Sequence, residues 1–325
     1  MLNKILPKQV KIVDKFKYFI IASLVVILVG VVFMIARGMN VGVDFAGGAK
    51  IEVETDTSID IDKVSDAIGE AIKGKYELSG SVQSSPADGY ITYEATLKYP
   101  QNVDESEFVQ DIQNELAKDI ADNLGIDVEN VKAYTVGATA SSSLLRSAII
   151  ALSVAIVVML IYIVIRFTLA SALASVCALI HDVLVMIALT TVFNVPVNST
   201  FIAAVITIVG YSINATIIIF DRIREERKSK SNEALSDAEI ADNSIAATLG
   251  RTILTTLTTL VMVVALAIFS VSAIQEFILP IIFGLLAGTY SSVFLASGFW
   301  VLFRKIGKNI SAKKAKKNSY SGQSK

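Results

Sequence analysis

The chain has 325 residues, of which 53% are hydrophobic and only 18% charged, with a net charge of −1. With a mean hydropathy of +0.60, this composition excludes a soluble, disordered or nucleic-acid-coating protein, since average soluble domains carry roughly 25% charged residues. One Cys and one His exclude an intrachain disulfide and a Cys/His zinc site, and leave His181 as the sole histidine base for a hydrolytic enzyme.

A helix needs about 20 mostly apolar residues to cross a bilayer. After a lysine-rich tail (residues 1–17), Tyr18–Ala36 is the first uncharged run, between Lys17 and Arg37. It is long for a signal-peptide core and lacks a clean small-x-small cleavage site, so it reads as a retained span. Residues 37–146 are polar and hold 20 of the 30 acidic residues, enough chain for a domain with its own core. Within them, Lys50–Glu54 alternates as a strand, and Ile61, Val64, Ile68 and Ile72 mark a helix over Ile59–Ile72. Ser79–Ser84 and Tyr90–Leu97 read as strands around the turn signal Pro86-Ala87-Asp88-Gly89. Phe108, Ile112, Leu116 and Ile120 mark a helix over Asp104–Leu124, and Val128–Thr135 is a last strand. The order β-α-β-β-α-β is that of the ferredoxin-like split βαβ.

Five further spans follow: 148–165, 169–192, 201–220, 250–269 and 277–303. Arg166-Phe167-Thr168 alone separates the second from the third, which predicts a tight helical hairpin. Residues 221–249 read as an amphipathic segment near the membrane surface. Residues 304–325 form a basic tail, unstructured after Lys308, which is solvated by default and otherwise suited to anionic lipid or ribosomal RNA. Lysine and arginine cluster in the N-terminal tail, at Arg166, over Arg222–Lys230 and in the C-terminal tail. With six spans all four segments fall on one side, so the termini are expected in the cytoplasm and the acidic domain outside the bacterial membrane. The predicted fold is six transmembrane helices with an extracytoplasmic α+β domain between the first and second.

Ionisable groups inside a membrane are costly and usually functional. His181-Asp182 sits within the third span. Asn214 lies seven residues before Asp221, about 10 Å inside the boundary. Arg251 opens the fifth span, followed by Thr252, Thr255, Thr256, Thr258 and Thr259. Asp221 and Arg224, three apart, can pair at the interface. Gly284 and Gly288 form a step that lets helices approach closely.

These motifs together resemble the SecD/SecF family of bacterial protein-export subunits, on its SecF side. The resemblance rests on Val41-Gly42-Val43-Asp44-Phe45-Ala46-Gly47-Gly48 after the first span and Tyr162-Ile163-Val164-Ile165-Arg166-Phe167 at the end of the second. It continues through His181-Asp182, Gly210-Tyr211-Ser212-Ile213-Asn214, Phe220-Asp221-Arg222-Ile223-Arg224-Glu225, Arg251-Thr252 and Gly288-Thr289-Tyr290-Ser291-Ser292. It covers nearly the whole chain. It implies a non-enzymatic subunit without cofactor, acting with SecD and the SecYEG channel on translocating preproteins. The resemblance also implies that the work is coupled to a proton or sodium gradient, through a membrane part similar to resistance-nodulation-division exporters.

The family's fourth-span motif continues Asn-Asp-Thr, whereas Ala215 stands here in place of the Asp. Four readings stay open: SecD supplies the acid, Asp182 or Asp221 serves instead, sodium is held by neutral oxygens, or the chain is uncoupled. The expected ion-path residues are Arg251, Asn214, Asp182, Asp221, Thr255 and Thr256. Asp44, Gly47 and Gly48 are expected to fix the hinge between the first span and the outer domain, glycine giving the joint its backbone freedom. The alternative functions are half of a small-molecule or lipid exporter and a purely structural anchor. No nucleic-acid partner and no metal site are expected.

Overall fold

A computed structural model describes residues 11–56, 59–79, 82–87, 90–100, 103–229, 234–269 and 272–322. The uncharged first run forms α1 (Phe16–Arg37), which stops at Gly38 with φ 81°. A single turn, α2 (Val43–Ala46), leads through Gly47 and Gly48 into β1 (Gly48–Thr55). Gly48 has φ 131°, and a Cβ there would lie 2.0 Å from the Leu97 carbonyl oxygen, so only glycine fits this joint.

The domain continues with α3 (Ile61–Ile72), β2 (Gln83–Ala87), β3 (Tyr90–Lys98), α4 (Glu105–Gln110), α5 (Ala117–Leu124) and β4 (Val131–Val136). All neighbouring strands are antiparallel, in the order β2-β3-β1-β4. Both crossovers thus skip one strand, which is the split βαβ arrangement that the element order predicts. Ala49, Ile51 and Val53 alternate inward from β1, opposite Leu97, Ala95 and Tyr93 of β3. Val64, Ile68 and Ile72 cover them from α3, and Phe108, Ile112, Leu116 and Ile120 from the second helical run. Four-residue spacing drifts by about 40° per step in an α-helix. Here a π-helical stretch, Asp111–Leu116, joins α4 to α5. Its wider turn keeps those four side chains on one face.

Boundaries differ from the sequence reading in several places, and β1 extends over Gly48–Thr55 instead of Lys50–Glu54. Asp60 caps α3, so the helix starts at Ile61. Residues 128–130 form a 3-10 turn capped by Asp127, and β4 starts at Val131. The second strand lies later, over Gln83–Ala87, and includes Pro86 opposite Ile91. Proline is tolerated there because β2 is an edge strand. Residues 88–89 of the expected turn lie outside the described residues.

Among the described residues, six helical runs are long and apolar enough to cross a membrane. After α1 come α6 (Ala138–Arg166), α7 (Leu169–Val192), α8 (Ser199–Lys228), α9 (Asp237–Phe269), α10 (Ser272–Tyr290) and α11 (Ser297–Gly322). Phe167 and Thr168 make the α6–α7 hairpin, with the Thr168 hydroxyl capping α7. A π-helical stretch, Ser291–Ala296, joins α10 to α11. Rather than forming a separate surface helix, the cytoplasm-assigned segment extends the spans: α8 runs to Lys228, and α9 begins at Asp237 with Ile240, Ala241 and Ile245 buried beside Ile12 and Trp300. The basic tail likewise continues as helix to Gly322.

Small residues set the helix spacing. A Cβ on Gly30 of α1 would meet the Ala188 Cβ of α7 at 2.3 Å, and one on Gly284 would meet Ile208 of α8 at 2.5 Å. Arg37 at the end of α1 donates to the Thr191 and Val192 carbonyls that end α7, at 2.9 and 3.2 Å.

Candidate functional site

The centre of the bundle holds a string of polar side chains on α7, α8, α9 and the α10–α11 run. Asp182 of α7 has no exposed surface. One carboxylate oxygen lies 2.9 Å from His181 Nδ1, and the other accepts from the Ser212 hydroxyl of α8. The His181 ring stacks on Tyr290, at 6.0 Å between centroids, and the Tyr290 hydroxyl donates to the Phe19 carbonyl of α1 at 2.8 Å. Gly288 makes room for Ser212: a Cβ on this glycine would lie 3.0 Å from the Ser212 Cβ. One turn further along α8, Thr216 bonds to Ser292 at 3.1 Å. Thr256 of α9 bonds to Thr289 at 2.9 Å and accepts from the Tyr211 hydroxyl at 3.3 Å.

Most of these groups are satisfied, as buried polar groups must be in a bilayer. On the inner faces of α7 and α9, His181 Nε2 and the Thr252 hydroxyl are among the buried polar atoms without a hydrogen-bond partner. The π-helical stretch begins at Ser291, beside the Ser292–Thr216 contact. Such bulges are frequent at functional sites. Among the described residues, no three His, Cys, Asp or Glu side chains converge as metal ligands.

The structure divides the residues expected to line an ion path. Asp182 and Thr256 point into this string. Asn214, Arg251 and Thr255 are exposed on the outer faces of α8 and α9. Thr255 donates to the Arg251 carbonyl at 2.8 Å. The Tyr211–Thr256 bond fixes the register between the two helices. At 1.5 Å per residue, Asn214 and Arg251 then sit within about 3 Å of the same level. Ala215 is 7% exposed and packs inward. Asp221 does not pair with Arg224. It meets Arg166 of the α6–α7 hairpin at 3.5 Å, while Arg222 takes Glu225 and Glu226. Helix packing brings Arg166 to Asp221, whereas Arg224 turns outward.

Asp44, Gly47 and Gly48 lie where the outer domain joins the bundle. Asp44 accepts from the Ser199 N–H at 2.9 Å, at the start of α8. The backbone after α1 pairs with that before α8: the Gly42 N–H donates to Val197 at 3.0 Å, and the Val197 N–H to Asn40 at 2.8 Å. Above this clamp, Lys50 of β1 lies 3.3 Å from Glu52, 3.0 Å from Glu94 and 3.2 Å from Glu276 of α10. Burial alone would lower the Lys50 pKa, but the carboxylates of Glu276, Glu94 and Glu52 outweigh it and hold the pKa above the ordinary lysine value. Asn198 donates to the other Glu276 oxygen. Sequence reading missed Lys50, Glu276 and the serine and threonine partners. Ser212, Thr289 and Ser292 lie inside recognisable motifs, but their pairing is visible only once helices are packed.

Comparison with known proteins agrees with this architecture. The profile of the family described as "Protein export membrane protein SecD/SecF, C-terminal" matches residues 116–306, and that of the "SecD/SecF GG Motif" matches residues 32–59. The protein translocase subunit SecF of Calditerrivibrio nitroreducens is 34% identical over 300 residues, covering 92% of this chain and 96% of the relative. The protein translocase subunit SecDF of Bacillus subtilis is 33% identical over 295 residues, covering 90% of this chain. The crystal structure of SecDF from Thermus thermophilus, a translocon-associated membrane protein, superposes with a TM-score of 0.73 at 26% identity over 91% of this chain. The chain spans 38% and 39% of those two SecDF chains. These relatives are translocase components, so the exporter alternative is not favoured. A profile that matches more than half of the residues and a relative matched almost end to end lead to one assignment: the chain belongs to the SecD/SecF family of protein-export membrane proteins.

Proposed function

We propose that the chain is an accessory subunit of the Sec translocase that uses a transmembrane ion gradient to promote late movement of preproteins, beside SecD and SecYEG. The observation that carries the coupling is Asp182, a carboxylate with no exposed surface between His181 and Ser212. A carboxylate inside a membrane is stable only with partners or a proton. Ser212 and His181 can each donate or accept, so adding one proton changes which bonds the set can form. Ser212 and the carboxylate it holds join α7 to α8, so protonation acts directly on that helix contact. Ala215 lies one turn beyond Ser212 on the same buried face of α8. In this reading Asp182 brings a carboxylate from α7 to a site that other family members supply from α8.

The outer faces of α8 and α9 support the partnership with SecD. Exposed Arg251, Thr255 and Asn214 are a poor surface for lipid, because arginine near the membrane interior is costly. In the fused SecDF relatives the remaining chain is available to cover such a face. The distribution of lysine and arginine supports termini and basic helix ends in the cytoplasm, with the α/β domain outside to engage the preprotein.

Secretion in cells depleted of their own SecF, supplied with this chain and its SecD, tests the reading. Asp182→Asn keeps the shape and the hydrogen-bonding partners while removing the charge change. It is expected to lower secretion about tenfold or more, in line with loss of a positioned proton carrier. Secretion at the unsubstituted rate would remove Asp182 from the path. Imposing either a pH or a sodium gradient identifies the ion. A purely structural anchor instead predicts that Arg251→Ala leaves secretion intact.

A further inference from the structure

At the end of the bundle away from the α/β domain, a cavity of about 370 Å³ opens between the α6–α7 hairpin, the end of α8 and Trp300. Its charged lining is Arg166, Arg224, Arg227 and Lys228, with no acidic residue. Asp221 offsets Arg166. Among the described residues, Arg224, Arg227 and Lys228 form no salt bridge. Thr168, the cap of α7, and Ser171 in its first turn add the positive end of a 24-residue helix. The floor is apolar: Phe220 and Trp300 are 2% and 1% exposed, beside Phe167. Asp237 acts on Arg227 but is itself shared by Arg304 and Lys308, so the three like charges around the cavity still repel one another, and a bound anion would relieve that repulsion.

The surroundings of the cavity decide which anion. Ile165 and Leu169, next to lining residues Arg166 and Thr168, are 81% and 69% exposed, and Ile161 one turn earlier is 54% exposed. A ligand with a phosphate head and apolar tails satisfies both surfaces, whereas a free phosphate leaves the apolar part bare. We infer that this cavity binds the phosphate headgroup of an acidic phospholipid, with the acyl chains running along the exposed end of α6. The inference does not depend on ion coupling or on the polar string around Asp182.

Native mass spectrometry of the full chain, released from nanodiscs of phosphatidylglycerol or of phosphatidylcholine, tests it. The chain is expected to retain one phosphatidylglycerol under conditions that strip phosphatidylcholine. Arg224→Gln with Arg227→Gln should lower retention about tenfold. Lys313→Gln with Lys314→Gln, the same charge change in the tail, should leave it unchanged. Equal loss in both pairs, or equal retention of the two lipids, would overturn the assignment. So would displacement of the lipid by an equal concentration of glycerol 1-phosphate, which would mark a free-phosphate site. A benzoylphenylalanine at Phe167 in the otherwise unsubstituted chain gives an answer that does not depend on folding of the arginine variant. Light-induced labelling of phosphatidylglycerol supports the site, and labelling of protein alone refutes it.

Discussion

Three of the six membrane runs bury half or more of their most apolar stretch: α7 by 56%, α8 by 50% and the α10–α11 run by 67%. The other three, α1, α6 and α9, bury 11%, 6% and 11%. The inner helices meet through small residues and hydroxyls, such as Gly284 against Ile208 and Thr216 with Ser292. The outer helices are attached along one side: α1 through Gly30 on Ala188, Arg37 on the α7 carbonyls and Phe19 on Tyr290, α9 through Thr256 and its buried start at Ile240, Ala241 and Ile245. Their exposed faces differ in turn. Those of α1 and α6 are aliphatic through their middles, whereas α9 shows Arg251, Thr255 and Thr258. In lipid there is no hydrophobic force between helices, so close packing and hydrogen bonds hold the inner set. An outer face needs such groups only if another protein or a hydrated path covers it.

That contrast can be broken where α1 meets α7. Gly30→Val places a branched side chain where even a Cβ would meet Ala188 at 2.3 Å. It is expected to cost about 3 kcal/mol, read as a lower thermal unfolding temperature in detergent and release of α1 from α7. Ser212→Ala removes one partner of the buried Asp182 carboxylate and is expected to cost about 2 kcal/mol in the same assay. Lys50→Met leaves Glu276 and Glu94 facing each other at the junction and is expected to cost about 1–2 kcal/mol, since the site keeps some contact with water.

The pH behaviour of the junction sharpens the comparison. The Lys50 pKa is raised on folding. Its contribution is therefore complete below the free lysine value of about 10.4 and fades only as pH rises past it. The distance between spin labels on β1 and α10 should stay the same between about pH 7 and pH 9. Thr216→Val, at a neutral inner pair, is expected to cost only about 0.6 kcal/mol. Asn214→Ala and Arg251→Ala should change the stability of the isolated chain by less than about 0.5 kcal/mol while lowering secretion. A large stability loss from either would show that the outer face of α8 and α9 holds the bundle together and does not serve a partner.

Much of the fold was legible because two periodicities are strong. Long apolar runs marked the spans, and the spacing of Val64, Ile68 and Ile72 marked the helix over β1. Phe108, Ile112, Leu116 and Ile120 were also legible, but the π-helical stretch that keeps them on one face was not, because it is a response to sheet packing. The candidate site was harder to read. His181-Asp182 and Arg251 stood out because charge inside a membrane is rare. Ser212, Thr289 and Ser292 did not, since a hydroxyl can bond its own helix as Thr255 does with Arg251. Asp221 was assigned the wrong partner because sequence spacing shows only neighbours on one helix, and Arg166 comes from another.

By itself, then, the sequence determined the number of spans, the order of the outer domain and the presence of buried charge. Each follows from local composition, through the length of an apolar run, the period of its side chains or the cost of an ionisable group in lipid. Tertiary structure decided that Asp182 faces Ser212 while Asn214 and Arg251 face outward. It also decided that Lys50 meets Glu276 across the junction. Those outcomes depend on how helices rotate against one another, and that rotation is set by contacts between residues far apart in the chain, such as Gly288 on Ser212 and Gly30 on Ala188.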